Sequence, residues 1–311
     1  MVRIAVIGTG GWGKNHLRVL HELGALTAFC DVDISRVSKF KKEYSVKGYN
    51  SVEKLLNEEN LDGVTICTPT STHYEIAEKT ISLGLHTFVE KPLTASAKDG
   101  EKLVEQADNK KVKLSAGYIE RFNPAVTELK SMLRSGKLGD PLLLEFHREN
   151  KWPTRIKDIG IIADTSVHDI DTARWLFESE PKVVFARAGK VVSQNEDFAA
   201  IILGFEEQKT AFITSNWVTP KRVRQLNAVC TEGIVTIDFV KQSITIDDNE
   251  GTHSPRRNWQ EPLKNELESF LECINRDYQP LVTGRDALNT TKIAEAALVS
   301  IKTGSPIYFD L

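Results

Sequence analysis

Cysteine is scarce and scattered. There are four in 311 residues, Cys30, Cys67, Cys230 and Cys273, with no C-x-x-C pair among them. That spacing argues against a disulfide framework or a zinc site and points to reduced thiols in a cytoplasm. Cys30 and Cys67 lie in apolar runs and read as small core residues. An excess of charge of one sign is also missing. Forty Lys and Arg against 43 Asp and Glu leave a formal charge of −3, which argues against a protein that coats nucleic acid. No apolar run approaches the ~18 residues of a membrane span. The opening MVRIAVIG flows into glycines too soon to be a signal peptide. Internal repeats and low-complexity tracts are absent as well. What remains is an ordinary soluble composition, 41% apolar and 27% charged, in a chain long enough for two domains.

The first stretch, 1–120, alternates short apolar runs with amphipathic segments, the pattern of βα units and a parallel sheet. Strands are expected at Arg3–Ile7, Leu26–Asp31, Gly63–Cys67, His86–Glu90 and Lys113–Gly117, with a weaker one near Val46–Tyr49. Runs such as RIAVIG are nearly continuous in apolar residues, as strands covered on both faces should be. Thr72 and Glu75 have capping-box spacing at the head of a helix. In 121–311 the pattern changes. Helices are expected at Pro124–Arg134 and Ala163–Phe177, then a meander of alternating strands from KVVFARAG to SITID, then helices near Pro262–Arg276 and Asp286–Thr303. The fold class is α/β: an N-terminal Rossmann dinucleotide-binding domain and a C-terminal α+β domain on a large open, mainly antiparallel sheet.

The first strand runs into Gly8-Thr9-Gly10-Gly11-Trp12-Gly13 and then a helix. This is G-x-G-x-x-G in its strand–turn–helix context: Gly8 for the turn, Gly10 for approach of a pyrophosphate, Gly13 for close helix–strand packing. The helix N-terminus offers N–H groups to the anion. About 20 residues on, Asp31 ends the second strand, where an acidic side chain accepts the adenosine ribose hydroxyls. Its charge repels a 2′-phosphate, so NAD is favoured over NADP, although Arg36 offers NADP a partner if it folds over the ribose. Thr68, Pro69 and His73 follow the fourth strand, at the edge where ligands of open parallel sheets lie. For His73, packing weighs as much as cofactor contact.

Glu90-Lys91-Pro92 closes the fifth strand on the same rim. An ammonium there can stabilise charge developing on a substrate oxygen, and proline turns the chain rigidly. Glu90 can orient Lys91 or touch the cofactor. The competing reading is a salt-bridged surface turn. Further on, Asp164 and His168 stand four apart on an expected helix and project from one face. A carboxylate one turn before a histidine can hold its ring, which makes His168 a candidate general base. Asp171 is expected to share that face and Asp169 to point elsewhere. A metal site is disfavoured, since no second histidine lies near.

Taken together, GxGxWG, CTPTxxH, EKP and DxGxxxDxxxHDID resemble the glucose–fructose oxidoreductase/inositol dehydrogenase (Gfo/Idh/MocA) family along nearly the whole chain. The resemblance implies a Rossmann domain with an open-sheet domain lining the substrate cleft, and oxidation of a secondary hydroxyl of a sugar or cyclitol. It makes Lys91, Asp164 and His168 the catalytic trio, and Gly8, Gly10, Gly11, Trp12, Gly13, Asp31, Thr68, Pro69, His73 and Glu90 the cofactor contacts. GYIERFNPAVTELK and WPTRIKDIGIIADTSVHDIDTARWL look most like nucleotide-sugar members, although Trp152-Pro153-Thr154 departs from their glycine–proline pattern. A diphosphate substrate wants cations, and Arg121, Arg148, Lys151 and Arg155 are candidates by position. Tyr118, Asn123 and Trp152 are candidates to stack on or bond to a sugar ring. Each has packing or an ion pair as its competing role. The expected activity is NAD-dependent oxidation of a sugar hydroxyl, the 3-hydroxyl of a UDP-N-acetylhexosamine first. A free-sugar or myo-inositol dehydrogenase, a silent dinucleotide sensor and an NAD-using glycosidase are the alternatives. The expected partners are a small sugar or nucleotide sugar and a second copy of the chain, as homodimer or homotetramer, because Phe198, Ile202 and Phe212 would otherwise leave an apolar sheet face in water. Nucleic acid and membrane are not expected partners.

Overall fold

The structure, a computed structural model, describes residues 2–153, 159–256 and 258–309. The chain forms two compact units, one of residues 1–118 and 263–291, the other of 119–262 and 292–311. The first break falls two residues before the expected boundary at 120. The return of 263–291 to the first unit is something a single boundary cannot express.

The first unit alternates β1 (Ile4–Ile7), α1 (Gly13–Glu22), β2 (Leu26–Cys30), α2 (Ile34–Tyr44), β3 (Lys47–Tyr49), α3 (Val52–Glu58), β4 (Gly63–Ile66), α4 (His73–Ser82), β5 (His86–Val89), α5 (Ala97–Lys110) and β6 (Leu114–Ala116). The six strands pair in parallel in the order β3-β2-β1-β4-β5-β6. The order reverses between β1 and β4, and ligands of such sheets lie beyond the carboxyl ends of the strands there. Every residue of β1 and β4 is buried, as their unbroken apolar runs demand. Phe270, from the returning segment, sets its ring edge-on to Phe88 of β5, with centroids 5.6 Å apart. The expected capping box does not form. A 3₁₀ turn, Thr70–Thr72, leads directly into α4, so Thr72 already has helical backbone angles. Its hydroxyl instead donates back to the Pro69 carbonyl and the Thr68 hydroxyl, both at 2.8 Å.

The second unit carries α6 (Pro124–Ser135), β7 (Pro141–Lys151), α7 (Val167–Phe177), β8 (Val183–Gly189), β9 (Phe198–Gly204), β10 (Thr210–Asn216), β11 (Val218–Cys230), β12 (Gly233–Asp238), β13 (Ser243–Asp248) and β14 (Gly251–His253). The helices α8 (Pro262–Arg276) and α9 (Gly284–Thr303) follow, then β15 (Ile307–Tyr308). Residues 292–303 of α9 count with this unit. Its nine strands run β14-β13-β12-β11-β7-β10-β9-β8-β15, antiparallel throughout except for the parallel β7–β10 pair. Alternation sends Leu144, Phe146, Ile201, Leu203, Ile213, Leu226 and Val235 to the buried face. Phe198 and Ile202 stand on the other face, each 42% exposed.

Strand β7 is missing from the sequence reading, as is the short edge strand β14, although β7 lies centrally in this sheet. Its inward positions are Leu144, Phe146 and Arg148. A charged residue on the buried face broke the apolar alternation by which the other strands are recognised.

The turn before β9 is tied by Asp197. Its buried carboxylate accepts from the N–H groups of Val191, Val192 and Ser193 at 2.6, 2.5 and 3.1 Å and from the Ser193 hydroxyl at 2.7 Å. Burial alone would raise this carboxyl, but the donors outweigh it and hold it down at about 2. A folded value below the unfolded one stabilises the fold above the unfolded value, and that contribution is lost as pH falls through the folded value. Asp197→Ala is therefore expected to lower the unfolding free energy by about 2 kcal/mol at neutral pH, with the gap to the native chain closing between about pH 4 and pH 2. Urea midpoints across that range test it, and equal midpoints at neutral pH would contradict it.

Candidate active site

The glycine loop is shaped for close approach. Gly8 takes φ +87°, and a side chain there would also press on Thr68 and Cys67 of the neighbouring loop. A Cβ on Gly13 would lie 1.9 Å from the Gly8 carbonyl oxygen, so only glycine lets α1 start against β1. Gly11 and Trp12 are exposed. Asp31 follows β2 with its carboxylate turned into the loop. Its Oδ2 accepts from the Thr9 N–H and hydroxyl, both at 2.7 Å, and its Oδ1 from the Asp33 N–H at 2.9 Å. Burial opposes its charge, but these bonds and the Arg36 guanidinium, 3.4 Å away, outweigh that and hold it below the usual carboxylate range. Arg36 also pairs with Asp33 at 3.4 Å and would lie 3.5 Å from a Cβ on Gly10. The loop, its glycines and this carboxylate fit a dinucleotide with a free 2′-hydroxyl.

Asp31→Asn removes the charge that rejects a 2′-phosphate and leaves Arg36 in place. It is expected to weaken NAD binding about 10-fold or more and to strengthen NADP binding. Titration of the native protein and of Asp31→Asn with each dinucleotide checks this, and an unchanged preference would oppose it.

The rim after β4 and β5 is cross-linked. His73 is buried, with Nδ1 2.8 Å from the Pro92 carbonyl and Nε2 2.9 Å from the Thr68 carbonyl. Burial pushes its pKa down, although both carbonyls favour the charged ring. A neutral ring donates to only one of these carbonyls, and in either tautomer His73 packs between the Thr68-Pro69 loop and the turn at Lys91-Pro92, whose peptide bond is cis. The packing role proposed beside cofactor contact is the one this geometry displays.

Glu90 is gripped from the cofactor side. Its Oε1 accepts from the Trp12 indole N–H at 2.7 Å and lies 2.8 Å from His16 Nε2. Its Oε2 accepts from the Lys91 N–H at 3.3 Å. A Cβ on Gly117 would come within 2.7–3.0 Å of this carboxyl. Glu90 therefore fastens the glycine loop and α1 to the segment that presents Lys91.

His16 is a residue the sequence reading missed. It is fully buried, and its Nδ1 meets no partner among the described residues. One signal was available: His16 falls on the buried stripe of α1 with Leu17 and Leu20, where an apolar residue is expected.

In the second unit, Asp164 and His168 lie on one continuous helical stretch, but Asp164 is in a π-helical turn, Ile162–Ser166, that precedes α7. The spacing of four therefore crosses a wider turn than the expected α-helix. Such single π turns are frequent at functional sites. Both residues are half-buried, whereas Ser166, Val167, Asp169 and Ile170 are buried. The head of the stretch is held by Glu196, whose carbonyl accepts from Ile161 N–H at 3.0 Å and whose carboxylate accepts from Ile162 N–H at 3.3 Å. A Cβ on Gly160 would lie 2.1 Å from that carboxyl, which accounts for the glycine. Ser166 meets Ser215 of β10 at 3.0 Å, hydroxyl to hydroxyl. Asp171, expected to share the face of His168, is committed to an arginine. It turns inward, fully buried, and takes the fork of Arg121 at 2.8 and 2.7 Å.

The residues expected to meet the substrate fare unevenly. Arg148 is buried, with Nε on Asp169 at 2.7 Å and a terminal nitrogen on Glu120 at 3.0 Å, under the Phe239 ring. Arg121 and Arg148 are thus engaged internally, one in each buried cluster. Asn123 caps α6 through the Ala125 N–H and donates to Glu120 and the Phe239 carbonyl. Trp152 sets its ring edge-on to Trp217, centroids 5.1 Å apart. Tyr118 is buried, Lys151 is exposed, and Arg155 lies outside the described residues. Lys91 belongs to the first unit, and Asp164 and His168 to the second.

Comparison with known proteins shows the family. Residues 2–118 match the model of an oxidoreductase family with an NAD-binding Rossmann fold, and residues 126–236 match the Gfo/Idh/MocA C-terminal domain. The UDP-N-acetylglucosamine 3-dehydrogenase of Acidithiobacillus ferrooxidans is 29% identical over 245 residues, 79% of this chain and 76% of that protein. The NAD(+)-dependent scyllo-inositol 2-dehydrogenase of Bacillus subtilis is 28% identical over 332 residues, 100% of this chain and 97% of that one. A solved structure of a UDP-N-acetylglucosamine 3-dehydrogenase from Acidithiobacillus ferrooxidans superposes with a TM-score of 0.90 at 26% identity, covering 97% of this chain and 98% of that one.

Proposed function

Because the chain belongs to the Gfo/Idh/MocA family of NAD-binding oxidoreductases, dehydrogenases acting on CH–OH groups, we propose that it oxidises the 3-hydroxyl of a UDP-N-acetylhexosamine. The observation that carries the substrate is the likeness to the Acidithiobacillus enzyme across nearly the full length of both chains.

In this reading His168 takes the hydroxyl proton, and Asp164, a turn earlier, steadies the ring and favours its protonated form. Lys91 hydrogen-bonds the same oxygen and stabilises the charge that builds there as the proton leaves. NAD, held by the glycine loop, would supply the hydride acceptor that the conversion of the alcohol to a ketone requires. The glycine loop with Asp31 holds the dinucleotide, and the Trp12–Glu90–His16 grip ties that loop to the segment bearing Lys91. A silent sensor needs no base, and the presence of Lys91, Asp164 and His168 together speaks for the enzyme. The exposed Phe198 and Ile202 support a homo-oligomer covering that sheet face. Among the described residues no helix is long and apolar enough to cross a membrane.

A second reading, an inositol dehydrogenase, is favoured by the full-length match to the Bacillus relative. The two separate in one assay. NAD reduction is followed with UDP-N-acetylhexosamines, free sugars and myo-inositol, and the oxidised carbon is fixed by NMR. Turnover of myo-inositol with none of the nucleotide sugars would overturn the first reading.

A further inference from the structure

Of the four cations the sequence offers a diphosphate, Arg121, Arg148, Lys151 and Arg155, the first two have guanidinium groups engaged with buried carboxylates. The same unit holds another arginine whose side chain is not. Arg224 of β11 stands directly opposite Arg148 of β7 in an antiparallel ladder, so the two side chains leave the sheet on the same face. Around Arg224, Glu120 spends its Oε1 and Asp169 its Oδ1 on Arg148. The Arg224 guanidinium makes no hydrogen bond or ion pair with any described residue, and the charges of Glu120 and Asp169 reach it only through space. Burial first, and the Arg148 charge second, push it down to about 10, so it remains a cation at neutral pH in a setting that penalises it. Arg224 is half-buried, and its planar fork of five donors, with no acceptor among the described residues, is open to an anion from outside the chain. Arg222 and Lys221, just before it on β11, are exposed and add charge of the same sign. Asp169, which holds Arg148 in this cluster, lies next to the proposed base His168 in the α7 sequence.

We propose that Arg224 is the anion-recognising residue of the substrate site and takes a phosphate of the nucleotide sugar's diphosphate in a forked hydrogen bond. This rests on the nucleotide-sugar reading above. It differs from a purely structural role, in which Arg224 balances Glu120 and Asp169 through space. A lysine would serve that role nearly as well, whereas a forked contact with phosphate needs arginine.

The test compares native protein with Arg224→Gln and Arg224→Lys at saturating NAD. For UDP-N-acetylglucosamine, the glutamine variant is expected to raise KM about 10–100-fold, with kcat and the KM for NAD little changed. The lysine variant recovers only part of that loss. Inhibition by UDP and by inorganic pyrophosphate should weaken in parallel. Native KM and native UDP inhibition in a folded glutamine variant would overturn the proposal, as would full recovery by lysine. Calorimetric titration with UDP at saturating NAD separates this from failure of the substrate reading. If no nucleotide sugar is oxidised, but UDP binds the native chain and not the glutamine variant, the substrate reading falls and Arg224 stands. If UDP and pyrophosphate fail to bind the native chain, the Arg224 proposal falls.

Discussion

His168→Ala and Lys91→Ala are each expected to lose about 10²–10⁴-fold in kcat while NAD binding is retained. The two losses have different physical origins. Without the imidazole, the hydroxyl proton has no positioned acceptor, and water is a poor substitute at neutral pH. Without the ammonium, negative charge develops on the oxygen without its counter-charge. The groups proposed to hold the dinucleotide, the glycine loop and the Asp31 carboxylate, are touched by neither substitution. The measurements are steady-state NADH formation and a separate titration with NAD. The pH profile adds a third readout. A base must be deprotonated to act, so the native rate falls on the acid side, and His168→Ala is expected to flatten that limb. Asp164→Asn, which keeps the shape and loses the charge, should fall between native and His168→Ala. Native turnover in either alanine variant would remove that residue from the mechanism.

What was legible in the sequence followed from periodicity and backbone demands. The parallel strands and the glycine loop were readable because strands such as β1 and β4, buried throughout, leave unbroken apolar runs, and because Gly8 and Gly13 meet constraints no side chain tolerates; β3, with no buried residue, gave a weaker signal. The second sheet was readable wherever its strands alternate, and illegible at β7, where Arg148 occupies an inward position. The same residue misled the reading of the site. An arginine near an expected cleft looks like a phosphate ligand until Glu120 and Asp169, 28 and 21 residues away in the chain, are seen to close on it. Sequence spacing carries no information on such pairs. Nor does it show which way a helical acid faces when a π turn changes the count, as between Asp164 and Asp171. Glu90 is the reverse case. The motif marked it as functional, while its two partners, Trp12 and His16, come from an element more than 70 residues earlier.

Asp171→Ala is expected to destabilise the fold by about 3–5 kcal/mol, the largest stability effect of any single change considered. The carboxylate is fully buried, with the Arg121 fork bidentate upon it and a nitrogen of Arg174 3.7 Å away. The Arg121 guanidinium also lies 5.9 Å from the centre of the Trp175 ring. Removing the acid takes the bidentate partner from a buried cation. Much of the loss is the cost of a buried charge deprived of that partner, so removing both partners is expected to cost less than removing one. Arg121→Met with Asp171→Leu should recover part of the urea midpoint lost in Asp171→Ala. A double variant as unstable as the single one would show that the pair supports the fold by more than mutual compensation. The same series decides the role of Arg121. A structural residue lowers the midpoint and leaves the substrate KM alone once the protein is folded, whereas a phosphate ligand raises KM at an unchanged midpoint. The geometry of the Arg121–Asp171 fork predicts the first outcome.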